Sequence, residues 1–174
     1  LVYAPAANGN GTGYTTFVFK VKDNGGTANS GVDTSVNANT ITVSVTGVND
    51  APVNTVPADQ TAAEDTNKVI TGLSVSDPDG NASLTVTLAI TNGTLTLLTG
   101  TGVTLGGNNS TSVTLTGTAN AINNLLATAS AVTYKPTPNF NGSSTLTMTS
   151  SDGMLSDTDT VDITVDPAND APVI

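Results

Sequence analysis

The stretch Val48-Asn49-Asp50-Ala51-Pro52-Val53 returns as Ala168-Asn169-Asp170-Ala171-Pro172-Val173, so the same linker occurs twice, 120 residues apart (Asp50 to Asp170). A fixed long period constrains the fold more than any other feature here, because each period must be one structural unit that is joined to the next. Other pieces recur too. Tyr3-Ala4-Pro5 with Asn10-Gly11 matches Tyr134-Lys135-Pro136 with Asn141-Gly142, and Asp23-Asn24-Gly25 matches Asp152-Gly153. The repeats divide the chain into the C-terminal part of one repeat (1–48), a linker (49–57), a complete repeat (58–166) and the start of the next linker (167–174). With the front half of its own module absent, the 1–48 segment is expected to be less stable than the complete repeat.

Within the complete repeat the apolar residues alternate. Leu84, Val86, Leu88 and Ile90 are separated by Thr or Ala, and Val161, Ile163 and Val165 by Asp and Thr. Period two marks strands with one buried face, and Thr suits the outward positions of a pleated surface. Breaks fall at Asp77-Pro78-Asp79-Gly80, Asn92-Gly93, Gly106-Gly107-Asn108-Asn109, Asn141-Gly142 and Asp152-Gly153, where Gly and Asn supply the positive φ of tight turns. The pattern predicts an all-β antiparallel sandwich of about seven to nine strands. One stretch departs from it. Ile122, Leu125 and Leu126 have helical spacing behind Thr118, which predicts one short helix per repeat, plugging an end of the core.

Only 3% of residues are aromatic, so the core must be built from Val, Leu, Ile and Ala, and such a domain gains from support by neighbours or metal. The net charge is −10, with four Lys and no His. That balance argues against nucleic acid or an anionic membrane surface as partner and in favour of cations. Without Cys there is no disulfide framework and no thiolate metal site. No apolar run approaches the ~20 residues of a membrane span.

The carboxylates gather at a few places: Asn49-Asp50, Glu64-Asp65, Asp77-Pro78-Asp79, Asp152, and Asp166 with Asn169-Asp170. Calcium takes about six to eight oxygen ligands, preferably several of them carboxylates. In an extended segment Asp77 and Asp79 would aim both carboxylates at one ion, with Pro78 stiffening the backbone between them. Two carboxylates about 5 Å apart repel by roughly 3 kcal/mol at an effective dielectric near 20, which favours a divalent ion between them. Each motif also has a plainer reading, since Asp-Pro-Asp-Gly is a good β-turn and Asn-Asp-Ala-Pro a good linker.

Over essentially its whole length the sequence resembles the bacterial cadherin-like repeats of long surface adhesins. The linker Asn49-Asp50-Ala51-Pro52 resembles the cadherin linker, Asp77-Pro78-Asp79 its Asp-x-Asp, Asp152 the later Ala-x-Asp aspartate, and Glu64 the glutamate near the end of the first strand. The resemblance implies an Ig/cadherin-like sandwich in tandem. It also implies Ca2+ held by Asn49, Asp50, Asp77, Asp79 and Asp152 at one joint, and by Glu64, Asn169 and Asp170 at the next. Thr46 stands where the second linker has Asp166, and no Asp-x-Glu motif occurs at the base of either repeat. About one or two ions per joint are therefore expected.

Other functions have less to stand on. The absence of His, Cys and Arg, with a single Glu, leaves few groups for acid–base or nucleophilic catalysis, so a non-enzymatic role is expected. A Lys–Asn or Lys–Asp crosslink through Lys20, Lys22, Lys68 or Lys135 is the weaker alternative to solvated lysines. The aromatic residues Tyr3, Tyr14, Phe17, Phe19, Tyr134 and Phe140 lie in or beside strands and are expected in cores, not on a glycan platform. The expected role is a calcium-stabilised module of an extracellular or cell-surface adhesin whose partners are the neighbouring repeats. The alternative is a calcium-dependent module that makes glycan, protein or homophilic contacts through loops such as 100–107.

Overall fold

The computed structural model describes residues 2–80 and 83–170. The chain divides into two compact units, Leu1–Val48 and Asn49–Ile174. In the first unit β1 (Gly11–Phe19) pairs antiparallel with β2 (Asn39–Val45), and the register breaks between Gly11 and Thr15. The long connection between the strands carries a single 3₁₀ turn (Ala28–Ser30) and an isolated bridge, Lys22 to Thr34. Lys22 Nζ lies 3.3 Å from Asp33 Oδ2, with the lysine side chain largely exposed and the aspartate side chain partly covered. Tyr3 packs edge-on against Phe17 at 5.6 Å and tilted against Tyr14 at 6.5 Å.

The second unit is mostly β. Its strands are β3 (Val53–Thr55), β4 (Gln60–Ala63), β5 (Lys68–Ile70), β6 (Ser74–Ser76), β7 (Leu84–Ile90), β8 (Gly93–Leu97), β9 (Val103–Gly106), β10 (Ser112–Gly117), β11 (Val132–Pro136), β12 (Gly142–Ser151) and β13 (Ser156–Asp166), with the helix α1 (Ala119–Leu126) between β10 and β11. They form a six-stranded sheet in the order β4-β13-β12-β7-β10-β9, a three-stranded sheet β5-β11-β8 and the pair β3-β6. Pairing is antiparallel except that β4 runs parallel to β13. The strand segments outnumber those expected because β3, β5 and β6 are each three residues long. Such segments are too short to show an alternation, which needs four or more residues to be read.

The alternation explains the core. Leu84, Val86, Leu88 and Ile90 of β7, Val113 and Leu115 of β10, Leu146 and Met148 of β12, and Val161, Ile163 and Val165 of β13 are all buried on one side of the large sheet. They pack in one cluster with Leu95, Leu97, Val132 and Tyr134 from the small sheet. Tyr134 can be fully buried because its hydroxyl donates to Asn92 O at 2.9 Å. The spacing also places the helix correctly. Thr118 caps it by accepting from Ala121 N at 3.2 Å, and Ile122, Leu125 and Leu126 are its buried residues.

Two asparagines stand in for missing strand neighbours. Asn123 on α1 accepts from Val75 N at 2.9 Å and donates to Val75 O at 2.8 Å, so its amide group pairs with β6 as a strand would. Asn108 does the same for Leu97, at 2.8 Å in both directions. Val75 is buried, so losing Asn123 would leave a buried N–H and C=O unsatisfied. Asn123→Ala is therefore expected to destabilise the second unit by about 1–3 kcal/mol in urea unfolding, and exposed Asn124→Ala by less than about 0.5 kcal/mol. Equal effects from the two substitutions would show that the amide pairing contributes nothing.

Candidate metal sites

β12 and β13, the two longest strands of the second unit, form a hairpin with Ser151 opposite Ser156 at one end and Gly142 opposite Val165 at the other. Carboxylates gather at both ends. The two ends are separated by roughly 30 Å, the length of about ten extended residues.

At the Gly142 end, β4 finishes beside β13, and Glu64 N donates to Asp166 O at 2.9 Å. The Glu64 side chain is 5% exposed. Its Oε1 accepts from Ala168 N at 2.7 Å and its Oε2 from Asn141 Nδ2 at 3.2 Å. Asp65 follows with φ +57°, and its Oδ1 accepts from Asn139 N at 3.1 Å. In a regular strand consecutive side chains point to opposite faces. β4 ends at Ala63, and Glu64 and Asp65 lie in the turn beyond it, where that alternation does not apply. Glu64, Asp65 and Asp170 bring carboxylate oxygens within 4.8 Å of one another. Asn169, beside them, donates to Asp170 O at 3.2 Å.

Among the described residues the ion pair found is Lys22–Asp33, so no lysine neutralises this trio. Each pair of carboxylates at that separation repels by about 3 kcal/mol at an effective dielectric near 20. The donor set is all oxygen and all anionic, which fits a hard divalent cation. Three carboxylates do not fill a calcium shell, so the remaining oxygens would have to come from water, backbone carbonyls or a neighbouring chain segment.

At the Ser151 end the linker is tied down residue by residue. Asn49 Nδ2 donates to Asp152 Oδ2 at 2.7 Å and to Asp50 O at 3.3 Å, and Asp50 N donates to Asp79 Oδ2 at 2.6 Å. Just beyond, Asn54 N donates to Asp157 Oδ2 at 2.8 Å, and the buried Asn54 side chain bonds Ser150 Oγ, which fixes β3 against the hairpin. Asp77 and Asp79 do not lie in an extended segment as the sequence suggested. Gly80 N donates to Asp77 O at 3.1 Å, Gly80 has φ +64°, and Asp79 N donates to Asp77 Oδ1 at 2.8 Å. Pro78 and Gly80 favour this turn, so the i, i+2 spacing by itself does not aim both carboxylates one way.

The structure thus links Asn49, Asp50, Asp77, Asp79 and Asp152 in one hydrogen-bonded network. It brings Glu64 and Asp170 together around Asp65, a residue the sequence argument grouped with Glu64 but did not assign as a ligand. Its signal was the Asp-Thr-Asn turn after Glu64, which favours left-handed backbone.

Asp152 carries the clearest electrostatic perturbation. Hydrogen bonds from Leu155 N, from the Asn49 amide and from Met154 N hold its carboxyl below the ordinary aspartate range. Met154 N and Leu155 N both reach Oδ1 at 2.7 Å, leaving Oδ2 for Asn49.

No family model matches the chain, and no curated protein matches it. Among solved structures it is similar to an endo-fucoidan hydrolase of glycoside hydrolase family 107, MfFcnA4, at 21% identity over 88% of this chain with a TM-score of 0.29. A second endo-fucoidan hydrolase of that family, MfFcnA9, matches at 18% identity over 87% of the chain, also with a TM-score of 0.29. The chain spans about a fifth of the length of each, 19% and 22%. A likeness this weak carries no argument about fold or function.

Because the folded Asp152 pKa is depressed, the stability this group contributes is complete above its unfolded value and is lost as pH falls through the folded one. Thermal melts stepped from pH 5 to pH 2 should show the wild type losing stability below about pH 4 more steeply than Asp152→Asn. Parallel curves would remove Asp152 from the linker's anchoring.

Proposed function

We propose that the chain is a non-enzymatic, calcium-stabilised structural repeat of a long extracellular bacterial adhesin, in which ions at the joints between repeats stiffen a stalk. The observation that carries this reading is the unneutralised trio Glu64, Asp65 and Asp170 at the end of the unit where the second Asn-Asp linker leaves. The first Asn-Asp linker enters at the opposite end, where Asp79 and Asp152 hold it. Entry and exit at opposite ends of one hairpin make the unit a spacer, because successive copies then add length.

The two linkers carry the same sequence, so each end supplies half of a joint. Asp50 occupies in its linker the place that Asp170 occupies in the next. In a run of such repeats, a linker Asp would therefore face a Glu64-Asp65 pair from the module before it and Asp77, Asp79 and Asp152 from the module after it. Carboxylates from both sides repel without an ion and converge around one when it is present. The ion binds the straight joint better than the bent ones and so shifts the population toward it.

Calcium accommodates this irregular, partly hydrated oxygen set more readily than magnesium, which demands near-octahedral geometry. Calorimetric titration into chelator-treated protein should give saturable binding for calcium and weaker binding for magnesium. At a hundredfold excess over Kd, calcium should add about 2.7 kcal/mol of stability, a rise of roughly 5–10 °C in Tm. Asp65→Asn and Asp170→Asn should each reduce both responses, with Asp59→Asn as a control that leaves them intact. No heat and no stabilisation at millimolar calcium would overturn the proposal.

A further inference from the structure

The β1–β2 hairpin of the first unit has the same strand register as β12–β13, and the burial of β12–β13 shows what such a hairpin requires. Gly11 pairs with Val45 as Gly142 pairs with Val165, Thr15 with Val43 as Ser144 with Ile163, and Phe17 with Ile41 as Leu146 with Val161. The match needs one adjustment: β1 has three residues between Gly11 and Thr15 where β12 has one between Gly142 and Ser144. That is where the register of β1 breaks. Yet burial differs sharply. Leu146 and Val161 are each 1% exposed, whereas Ile41 is 50% exposed and Phe19, which stands where Met148 does, is 42% exposed. Tyr3 occupies the place of Tyr134 in the Tyr-x-Pro motif and packs on Phe17.

We infer that the face formed by Phe17, Phe19, Ile41 and Val43 is a docking site for a front half-module of the same repeat, a segment patterned like residues 49–131. The occupant is identified by the second unit, where the equivalent face of β12 and β13 shares one core with Leu95, Leu97, Val132 and Tyr134 of the small sheet. The docking face is apolar, in a chain of net charge −10, so the partner must offer an uncharged aliphatic surface such as that sheet presents. This inference rests on the repeat and not on any metal.

The test lengthens the whole chain, placing a second copy of residues 49–131 ahead of Leu1 in the register that aligns Tyr3 with Tyr134. Hydrogen exchange in chelator, which removes any contribution from calcium, is compared with that of the original chain. The amides of Phe17, Ile41 and Val43 should slow at least about a hundredfold. Ile41→Asp in the lengthened chain should abolish that gain without changing exchange in the second unit. Two results would overturn the inference. One is unchanged exchange at these amides, including the case in which the added segment stays unfolded. The other is sedimentation showing that the original chain already dimerises with this face protected, which would make a second copy the occupant.

Discussion

Leu146 and Met148 of β12 and Val161, Ile163 and Val165 of β13 carry one aliphatic face along the longest hairpin of the second unit, and the positions of both acidic ends follow from it. The face must be buried, so this part of the hairpin lies on the core. Its turn and its open end then fall at opposite ends of the unit. Asp152 sits at the first, while Asn141 and the β13 terminus beside Glu64 sit at the second. Aromatic residues contribute little to this core beyond Tyr134, so packing depends on unbroken runs of Val, Leu and Ile. The outer positions between them are mostly Thr, with the exposed Asp162 among them on β13.

The two ends handle negative charge differently. At the Asp152 end the carboxylates of Asp77, Asp79, Asp152 and Asp157 each accept hydrogen bonds from nearby backbone or amide groups, and this holds the linker close to the hairpin. At the Glu64 end a buried carboxylate with two hydrogen bonds still has two further carboxylates within 4.8 Å. Hydrogen bonds stabilise each anion singly but do nothing for the repulsion among them. That remaining repulsion is the physical basis for proposing a cation there, and for proposing that a neighbouring module completes the shell.

Much of this was legible in the sequence because its signals are periodic or local. The alternation at Leu84–Ile90 and Val161–Val165 located β7 and β13, and Thr118 with Ile122, Leu125 and Leu126 located α1 and its cap. The three-residue strands β3, β5 and β6 were not legible, because their pairing is settled by tertiary contacts such as Asn123 to Val75. The parallel contact of β4 with β13 joins residues about a hundred positions apart, from Gln60 to Ile163, with no local mark. At the candidate sites, residue types were readable and directions were not. Asp77 and Asp79 sit on a turn, and so do Glu64 and Asp65, with left-handed backbone at Asp65.

The central proposal is that a divalent ion bound among Glu64, Asp65 and Asp170 neutralises the repulsion between their carboxylates. A crystal structure of the chain grown in calcium tests it most directly. The account predicts an ion about 2.3–2.6 Å from oxygens of all three side chains. Carboxylates turned apart into solvent, with no ion between them at saturating calcium, would contradict it.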